Sequence, residues 1–333
     1  MIKKGQTFDD ICLVPKLSEI ESRSLPNIST YLTHDLPLEI PIVNSPMDSV
    51  ISIQLAHILS EMGTIPIFDR EVDLNSIKTF SVPFFISTGV RPNFEEIDKF
   101  LDENPQCVGI NVDVANGHST IAMKTVETLK TKWVEMNVMA GNTCTAQGYK
   151  DIVSAGADVV RIGIGPGSNC TTRIVTGFGV PQFTALQNIY IERQKLGIPI
   201  IADGGIRGSG DAVKALAAGA DCVMMGRLLA QTYESGAQKR AKGNYLDNQT
   251  ECFYRGQASR SYQEEFYGSV KTVPEGEAKW LPVVGHAKKM LAEFCFGIKT
   301  GMTYGNASTL KQLRDTAEFM EVTNGYTTES GVR

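Results

Sequence analysis

Short apolar runs alternate with amphipathic stretches along the chain from about residue 40 to residue 230. Such runs are typical of buried parallel strands, whereas an apolar period of 3.6 residues predicts helices. Eight strand-and-helix units in series favour a (β/α)8 TIM barrel, with an open doubly wound sheet as the alternative. The predicted strands cover 40–44, 65–68, 84–89, 108–112, 138–140, 159–164, 199–202 and 222–225, and the predicted helices cover 53–62, 94–101, 120–131, a segment ending near 155, 182–195 and 211–218.

Residues 234–279 break this alternation, because they are polar and rich in Gly, Ser, Gln, Lys and Arg. A long irregular insertion after the last barrel strand is more often functional than idle, since active-site lids lie on that face of a barrel. We therefore expect a mobile active-site flap over about 234–282, with a disordered surface loop as the alternative. Helical periodicity returns over 283–313, and the whole chain, 1–333, is predicted to be one catalytic domain.

Composition and charge exclude several classes of protein. The chain has 32 Lys and Arg against 37 Asp and Glu, a formal charge of −5, which argues against nucleic acid as a partner. There is no apolar run of about 18 residues and no apolar segment near the N-terminus, so neither a membrane span nor a secretion signal is predicted. Seven dispersed cysteines without a CxxC pair indicate a reduced, cytoplasmic protein.

The segment 163–172, GIGPGSNCTT, follows a β-branched strand and carries the most reactive-looking cysteine of the chain. Its glycines let the backbone approach an anion, and Cys170 lies beside the hydroxyls of Thr171 and Thr172. A thiol in such a polar, glycine-rich loop is a candidate nucleophile. We expect Cys12, Cys107, Cys222 and Cys295 to be inert, buried thiols.

Two successive predicted strands end in phosphate-type loops. The first ends in Asp203-Gly204-Gly205, where a carboxylate can bind the two hydroxyls of a ribose and glycine amides can bind a phosphate. The second, VMMGR, ends at Gly226. A generic turn explains either one alone, but the pair matches the phosphate site that barrels often form after strands seven and eight.

These motifs resemble the IMP dehydrogenase and GMP reductase family, over nearly the whole chain. The resemblance rests on GIGPGSNCTTR at 163–173, GVPQ at 179–182, IADGGIRGSGDAVKALAAGA at 201–220, VMMG at 223–226, TFDDICLVP at 7–15, PIVNSPMDSV at 41–50, MAGN at 139–142 and YRGQAS at 254–259. It implies a (β/α)8 barrel, usually a homotetramer, that acts on a purine nucleoside 5′-monophosphate with a nicotinamide cofactor.

The resemblance also implies roles for individual residues. Cys170 would attack C2 of the purine, with Thr172 as its hydroxyl partner and Glu275 moving protons. Arg70 would assist the release of ammonia, although Asp69 replaces the histidine that usually precedes this basic position. The implied substrate-binding residues are Ser45, Met47, Ser168, Asp203, Gly205, Gly226, Arg227, Tyr254, Gly256, Gln257 and Ala258; the implied cofactor-binding residues are Asp113, Asn142 and Gly163; and a monovalent cation such as K⁺ would lie near Gly165, Gly167, Cys170 and Glu329.

Several features favour the reductase branch, which converts GMP to IMP and ammonia with NADPH. The link between Arg70 and Phe84 leaves no room for the paired regulatory CBS domains that most dehydrogenases insert. The segments 87–105 and 111–119 resemble reductases. The flap is short and has Arg260-Ser261-Tyr262 in place of the adjacent Arg-Tyr pair that activates water in dehydrogenases, although Arg260 and Tyr262 could act together if the flap bends.

Other features favour the dehydrogenase branch, which converts IMP, NAD and water to XMP and NADH. The motifs GVPQ, YRG and KTVPEG at 271–276 are closer to that branch, and TESGVR at 328–333 resembles its cation-binding tail. We expect the reductase, keep the dehydrogenase as the alternative, and keep a deoxynucleotide-specific variant as a third hypothesis. Arg227 occupies a position where members of the family commonly have a small residue. It could bind the substrate phosphate, or it could be a charge on the protein surface.

Overall fold

The computed structural model describes residues 2–242 and 249–330, so 243–248 of the predicted flap and the last three residues of the TESGVR tail lie outside the described residues. The strands are β1 (Ile11–Leu13), β2 (Thr30–Tyr31), β3 (Pro37–Leu38), β4 (Ile42–Asn44), β5 (Phe84–Thr88), β6 (Cys107–Asp113), β7 (Asn137–Thr143), β8 (Val159–Ile162), β9 (Ile200–Asp203), β10 (Cys222–Met225), β11 (Lys239–Lys242), β12 (Gln249–Arg255), β13 (Ala278–Pro282) and β14 (Phe319–Glu321).

The helices are α1 (Ile53–Glu61), α2 (Leu74–Ile77), α3 (Phe94–Glu103), α4 (Thr120–Lys132), α5 (Ala146–Ser154), α6 (Thr172–Thr176), α7 (Gln182–Leu196), α8 (Ser209–Ala217), α9 (Arg227–Ala230), α10 (Arg260–Tyr267), α11 (Ala287–Tyr304), α12 (Leu310–Thr316) and α13 (Asn324–Glu329). The predicted barrel helices are found within a few residues of their expected bounds. Among the described helices, none has both the length and the apolar character needed to cross a bilayer.

A curled parallel sheet forms the centre of the molecule. Its strands are hydrogen-bonded in the order β4-β10-β9-β8-β7-β6-β5, and each neighbouring pair is parallel. Helices follow the strands along the chain, as in βαβ units. The architecture is the (β/α)8 barrel that the alternating pattern predicts.

The eighth strand position, between β5 and β4, is held largely by one side chain. On the β5 side, Ile67 forms a single parallel bridge with Phe85. On the β4 side, Asn44 Nδ2 donates to the Ile67 carbonyl (2.8 Å), and the Ile67 amide donates to Asn44 Oδ1 (2.9 Å). The predicted strand 65–68 therefore contributes one bridge residue, and the fully buried Asn44 side chain takes the place of a strand pair in closing the barrel.

Strand alternation separates two apolar clusters. Val43, Ile201 and Met224 belong to an inner cluster, whereas their chain neighbours Ile42 and Ile200 pack in the larger cluster that the helices cover. Successive side chains of a strand point to opposite faces, so the inner cluster fills the barrel. Leu32 and Leu38, from the β2–β3 hairpin, join this inner cluster and close one end of the barrel. The other end is left for the loops that follow the strands.

The flap contains regular structure, so the expectation of an irregular insertion is wrong. Strands β11, β12 and β13 form an antiparallel sheet, and α10 follows β12. Cys252 and Tyr254 of β12 are buried against the barrel, while the other strand residues are mostly polar. This high polar content hides the two-residue period in the sequence.

One buried arginine holds α10 against the barrel. Arg255 donates from Nη2 and Nε to Asp48 Oδ2 (2.5 and 2.8 Å) and from Nη1 to Glu265 Oε2 (2.5 Å). Its guanidinium also lies 5.6 Å from the ring centre of Tyr262 and 5.5 Å from that of Phe266. Such planar charged contacts fix both the distance and the orientation of the helix.

Asn44→Ala should destabilise the protein by about 2–3 kcal/mol, because it leaves the buried amide and carbonyl of Ile67 without these partners. Urea unfolding of the two proteins measures the difference. Asn188→Ala, on the exposed face of α7, is the matched control and should change stability by less than about 0.5 kcal/mol. Equal midpoints for wild type and Asn44→Ala would show that this side chain does not close the barrel.

Candidate active site

Three strands deliver polar side chains to the open end of the barrel. Asp113 ends β6, Asp203 ends β9, and Asn142 lies next to the last residue of β7. Because parallel strands of a barrel all end on the same side, these groups converge, as the resemblance implies. Between the two carboxylates lies Arg161 of β8, whose side chain is only 7% exposed.

Arg161 connects the two aspartates. Its Nη1 donates to Asp113 Oδ1 (2.5 Å) and its Nη2 to Asp203 Oδ2 (2.8 Å). Burial lowers the pKa of Arg161, but the two carboxylates outweigh that effect and raise it, so the residue stays charged. The sequence analysis missed Arg161, although an arginine within the apolar run VVRI was the available signal, since a charge is rarely buried unless it is paired.

Only one of the two carboxylate oxygens of Asp203 accepts hydrogen bonds from the described residues. Its Oδ2 accepts from Asn142 Nδ2 (2.8 Å) as well as from Arg161, and Asn142 Nδ2 also donates to the Gly163 carbonyl (2.7 Å). Its Oδ1 makes no hydrogen bond within residues 2–242 and 249–330. That oxygen is therefore available to accept hydrogen bonds from a diol such as a ribose.

The loop after β8 carries the thiol and depends on glycine at its start. Gly163 has φ 147°, and a Cβ there would lie 2.1 Å from the Asp203 carbonyl oxygen. Seven residues later, Cys170 Sγ is 3.2 Å from Thr172 Oγ1, which donates to Glu275 Oε2 (2.8 Å). The three side chains form one hydrogen-bonded series from a thiol to a carboxylate, which can pass a proton.

Residues 275–277, at the end of the flap, fix this series by pairing with the loop. The Thr171 amide donates to the Glu275 carbonyl (2.9 Å), and the Glu277 amide donates to the Asn169 carbonyl (2.8 Å). Asn169 Nδ2 also donates to the Tyr254 carbonyl (3.2 Å). These bonds place the Glu275 carboxylate beside Thr172, although 103 residues separate them in sequence.

Cys107, Cys222 and Cys295 are buried as expected and contrast with Cys170, whereas Cys12 is partly exposed, so the expectation that it is buried is wrong. Burial raises the pKa of the Cys107 thiol to about 12 and that of Cys295 to about 11, and it raises that of Cys222 as well. Cys170 is only half-buried and borders two cavities. Location and contacts therefore single it out among the buried thiols.

Three cavities meet around Cys170 and Asp203, and all the predicted site residues except Glu329 line at least one of them. The central cavity, of about 680 Å³, is lined by Arg70, Asp113, Asn142, Arg161, Gly163, Gly165, Gly167, Cys170, Thr172, Asp203, Gln257, Ala258 and others. The small cavity, of about 190 Å³, adds Ser45, Met47, Ser168, Tyr254, Gly256 and Glu275. The glycine-lined cavity, of about 390 Å³, adds Gly205, Gly226 and Arg227.

The glycine-lined cavity is suited to an anion. Gly205 is in the left-handed region (φ 82°), so the backbone after β9 turns back on itself at the cavity. Burial raises the pKa of Tyr254 to about 12, which keeps its hydroxyl protonated as a donor. Arg227 donates from Nε to Gln231 Oε1 (3.3 Å) and pairs with no carboxylate within the described residues. Amides, a hydroxyl and a cation together are the groups that bind phosphate.

The flap residues Arg260 and Tyr262 do not face these cavities. Arg260 is 68% exposed and lies 3.6 Å from Glu264, whereas Tyr262 is fully buried and donates to Glu71 Oε1 (3.3 Å). The hypothesis that they act together therefore has no support in this arrangement. The flap instead contributes Gln263, Tyr267, Lys271 and Thr272 to the central cavity; the sequence analysis did not name the first two and gave the last two only as part of KTVPEG.

Asp69, beside Arg70, does not line the central cavity. Its Oδ1 accepts from the Glu71 amide (2.9 Å), and burial raises its pKa to about 6. Burial lowers the pKa of Arg70, while Asp113 and the hydroxyls of two flap tyrosines raise it overall.

The predicted cation site is only partly assembled. Gly165, Gly167 and Cys170 are together at the central cavity. Glu329 lies on α13, whose Tyr326 hydroxyl is 3.5 Å from Cys12 Sγ at the other end of the sequence. Glu329 does not line these cavities, so a role for it at a cation stays a prediction.

The family model described as IMP dehydrogenase / GMP reductase domain matches residues 5–79 and 87–333. The chain belongs to this family. Membership makes it an oxidoreductase of the group that acts on purine nucleoside monophosphates with a nicotinamide cofactor. The unmatched residues between the two segments, 80–86, include the start of β5.

Relatives of the chain in this family are named inosine-5′-monophosphate dehydrogenase. That from Borreliella burgdorferi is 32% identical over 390 aligned positions, which cover 98% of this chain and 96% of the relative. That from Cryptosporidium parvum is 33% identical over 388 positions, covering 99% and 95%. That from Bacillus subtilis is 41% identical over 240 positions, but these cover 70% of this chain and 48% of the relative.

Arg227→Met should raise the KM for the nucleotide substrate by about tenfold or more and leave kcat nearly unchanged, because a charged hydrogen bond to phosphate acts alike in the ground and transition states. Initial rates at several nucleotide concentrations measure both constants. Lys289→Met removes the same charge from an exposed position on α11 and serves as the control. An unchanged KM would identify Arg227 as a surface charge.

Proposed function

We propose that this chain is an IMP dehydrogenase, which oxidises IMP at C2 with NAD and hydrolyses the Cys170-bound product to XMP. The observation that carries this proposal is the hydrogen-bonded series Cys170–Thr172–Glu275 between the anion-suited cavity and the central cavity. The names of the relatives support the dehydrogenase better than the reductase that the sequence analysis favoured.

The substrate would span the cavities from its phosphate to its base. In this arrangement the glycine amides, Tyr254 and Arg227 bind the 5′-phosphate, and the free Oδ1 of Asp203 binds the ribose hydroxyls. Gln257 donates from Nε2 to the Pro46 carbonyl (2.6 Å), which fixes its amide at the edge of the small cavity beside the base. C2 of the purine then lies within reach of the Cys170 thiolate, and a C–S bond forms.

The central cavity has the size and polar lining for the nicotinamide end of the cofactor. Asp113, Asn142 and Gly163 would hold it on the side of Cys170, and Arg70 offers a buried Nε that has no partner within the described residues. The cofactor, when bound, accepts the hydride that leaves C2. Asp113 and Asn142 are themselves fixed by Arg161 and Asp203, so the wall that they form is rigid.

Hydrolysis of the thioimidate needs a group that removes a proton from water. With Arg260 and Tyr262 outside the cavities, Thr172 and Glu275 are suited to this step. Water attacks C2, its proton passes to the Thr172 oxygen, and the Thr172 proton passes to Glu275 Oε2 across 2.8 Å. The C–S bond then breaks, and Cys170 leaves as a thiolate.

GMP reductase is a second candidate function, and the position of the flap tyrosine favours it. Tyr262 is fully buried, and no adjacent Arg-Tyr pair faces the thiol, as expected for an enzyme that has no hydrolytic step. In that reaction the same Glu275 and Thr172 would protonate the ammonia that leaves C2, and NADPH would be the cofactor. A homotetramer, a K⁺ requirement and a deoxynucleotide preference stay as predictions from the resemblance.

Purified protein should reduce NAD when mixed with IMP and should leave NADPH unchanged when mixed with GMP, as followed by absorbance of the reduced nicotinamide. Cys170→Ala should lose turnover and still bind IMP, because the thiol forms the covalent bond. Oxidation of NADPH with GMP alone would replace the dehydrogenase by the reductase. If the protein is inactive with both pairs but active with a deoxynucleotide, the result supports the third hypothesis, a deoxynucleotide-specific variant.

Glu275→Gln should lower steady-state turnover by about 100-fold and preserve a rapid first formation of one NADH per site, because hydride transfer precedes the proton-dependent hydrolysis. Stopped-flow absorbance separates the two phases. Glu277→Gln, two residues away and exposed, is the matched control. Loss of the rapid phase together with turnover would show that Glu275 acts before hydrolysis.

A further inference from the structure

A fourth space, here called the outer cavity, adjoins the central cavity. It has a volume of about 840 Å³ and lies among the loop after Ile67, the loop after β5, and the flap. Its lining includes Glu71, Thr88, Gly89, Arg91 and Glu96. The nucleotide site described above does not use it, so its contents are unassigned.

Three residues line both the central and the outer cavity: Arg70, Tyr267 and Thr272. We call this set the junction. Each member carries hydrogen-bond donors, one of them is a cation, and none is a carboxylate. Elsewhere both cavities have charges of both signs: Asp113 and Asp203 lie with Arg161 and Lys271 in the central cavity, and Glu71 and Glu96 lie with Arg91 in the outer cavity. The junction has a cation and no carboxylate, which favours an anionic group that extends through both spaces.

Arg70 has hydrogen-bond donors available for an anionic group. Its Nη2 donates to the Tyr267 hydroxyl at 3.4 Å, which is a weak contact, and its buried Nε has no hydrogen-bond partner within the described residues. A buried donor without a partner is costly, and an anionic ligand removes that cost. The planar guanidinium also matches phosphate oxygens with two parallel donors.

We infer that Arg70 binds the diphosphate of the nicotinamide cofactor at the junction, with the nicotinamide half in the central cavity and the adenosine half in the outer cavity. This inference rests on the proposed function only for the presence of a nicotinamide dinucleotide. It assigns Arg70 to cofactor binding, whereas the resemblance implies a role in ammonia release. Tyr267, which lies at the junction, ends α10, so the flap helix forms part of this cofactor site.

The test measures binding without turnover. NADH is titrated by its fluorescence into protein saturated with IMP, a pair that reacts in neither the dehydrogenase nor the reductase. Arg70→Met should weaken NADH binding by about 10- to 100-fold, the range for a charged hydrogen bond, and Arg70→Lys by less. Arg260→Met, which removes an exposed flap cation outside both cavities, should bind NADH like wild type.

Two fragments of the cofactor show which part of it Arg70 binds. ADP-ribose contains the diphosphate and the adenosine half, whereas nicotinamide riboside contains the other half without a phosphate; each is measured by its displacement of NADH. Arg70→Met should weaken ADP-ribose binding as strongly as NADH binding and weaken nicotinamide riboside binding by less than about threefold. Equal losses for both fragments, or wild-type affinity for ADP-ribose, would overturn the assignment.

The outcomes separate this inference from the proposed function. The affinity of Arg70→Met for IMP shows whether that variant is folded. If Arg70→Met no longer binds IMP, the test is made with Arg70→Lys instead. Wild-type ADP-ribose affinity in Arg70→Lys would then contradict the inference. If the protein oxidises NADPH with GMP and does not reduce NAD with IMP, the proposed function fails. The junction inference then survives if NADPH shows the same dependence on Arg70, and it fails if NADPH does not.

Discussion

The ion pairs of Arg161 with Asp113 and Asp203 are the interaction on which the open end of the barrel depends. They connect β6, β8 and β9 across the barrel mouth, within distances of 2.5 and 2.8 Å. A buried cation between two carboxylates fixes a particular arrangement, because removing Arg161 would leave two buried carboxylates without their cation. The position of Asp203 Oδ1, which accepts no hydrogen bond within the described residues, and the positions of Asp113 and Asn142 at the central cavity follow from these contacts.

Most of the barrel could be predicted from the sequence, because parallel strands are buried on both faces and appear as short apolar runs. Residues 65–68 show the limit of that argument. The run is apolar, but its pairing with β4 depends on the amide side chain of Asn44, which no periodicity reveals. The flap was harder still, since its strands are polar and lie outside the barrel.

Site residues that are close together in sequence could be predicted, whereas those that only the fold brings together were harder to predict. Cys170 and Thr172 are two residues apart, and Asp203 lies next to its glycines, so their loops could be recognised. Arg161 and Tyr267 have no motif of their own, and only the folded arrangement brings them to the cavities. Arg260 and Tyr262 are the converse, since they are close in sequence but point in different directions.

The backbone pairing of residues 275–277 with the thiol loop has a consequence for any movement of the flap. The hydrogen bonds that place Glu275 beside Thr172 are the same ones that join the flap to residues 169–171. A displacement of the flap that moved residues 275–277 would therefore separate the carboxylate from the threonine. Cys170 and Thr172 would then lie together without the proton acceptor that Glu275 supplies in this arrangement.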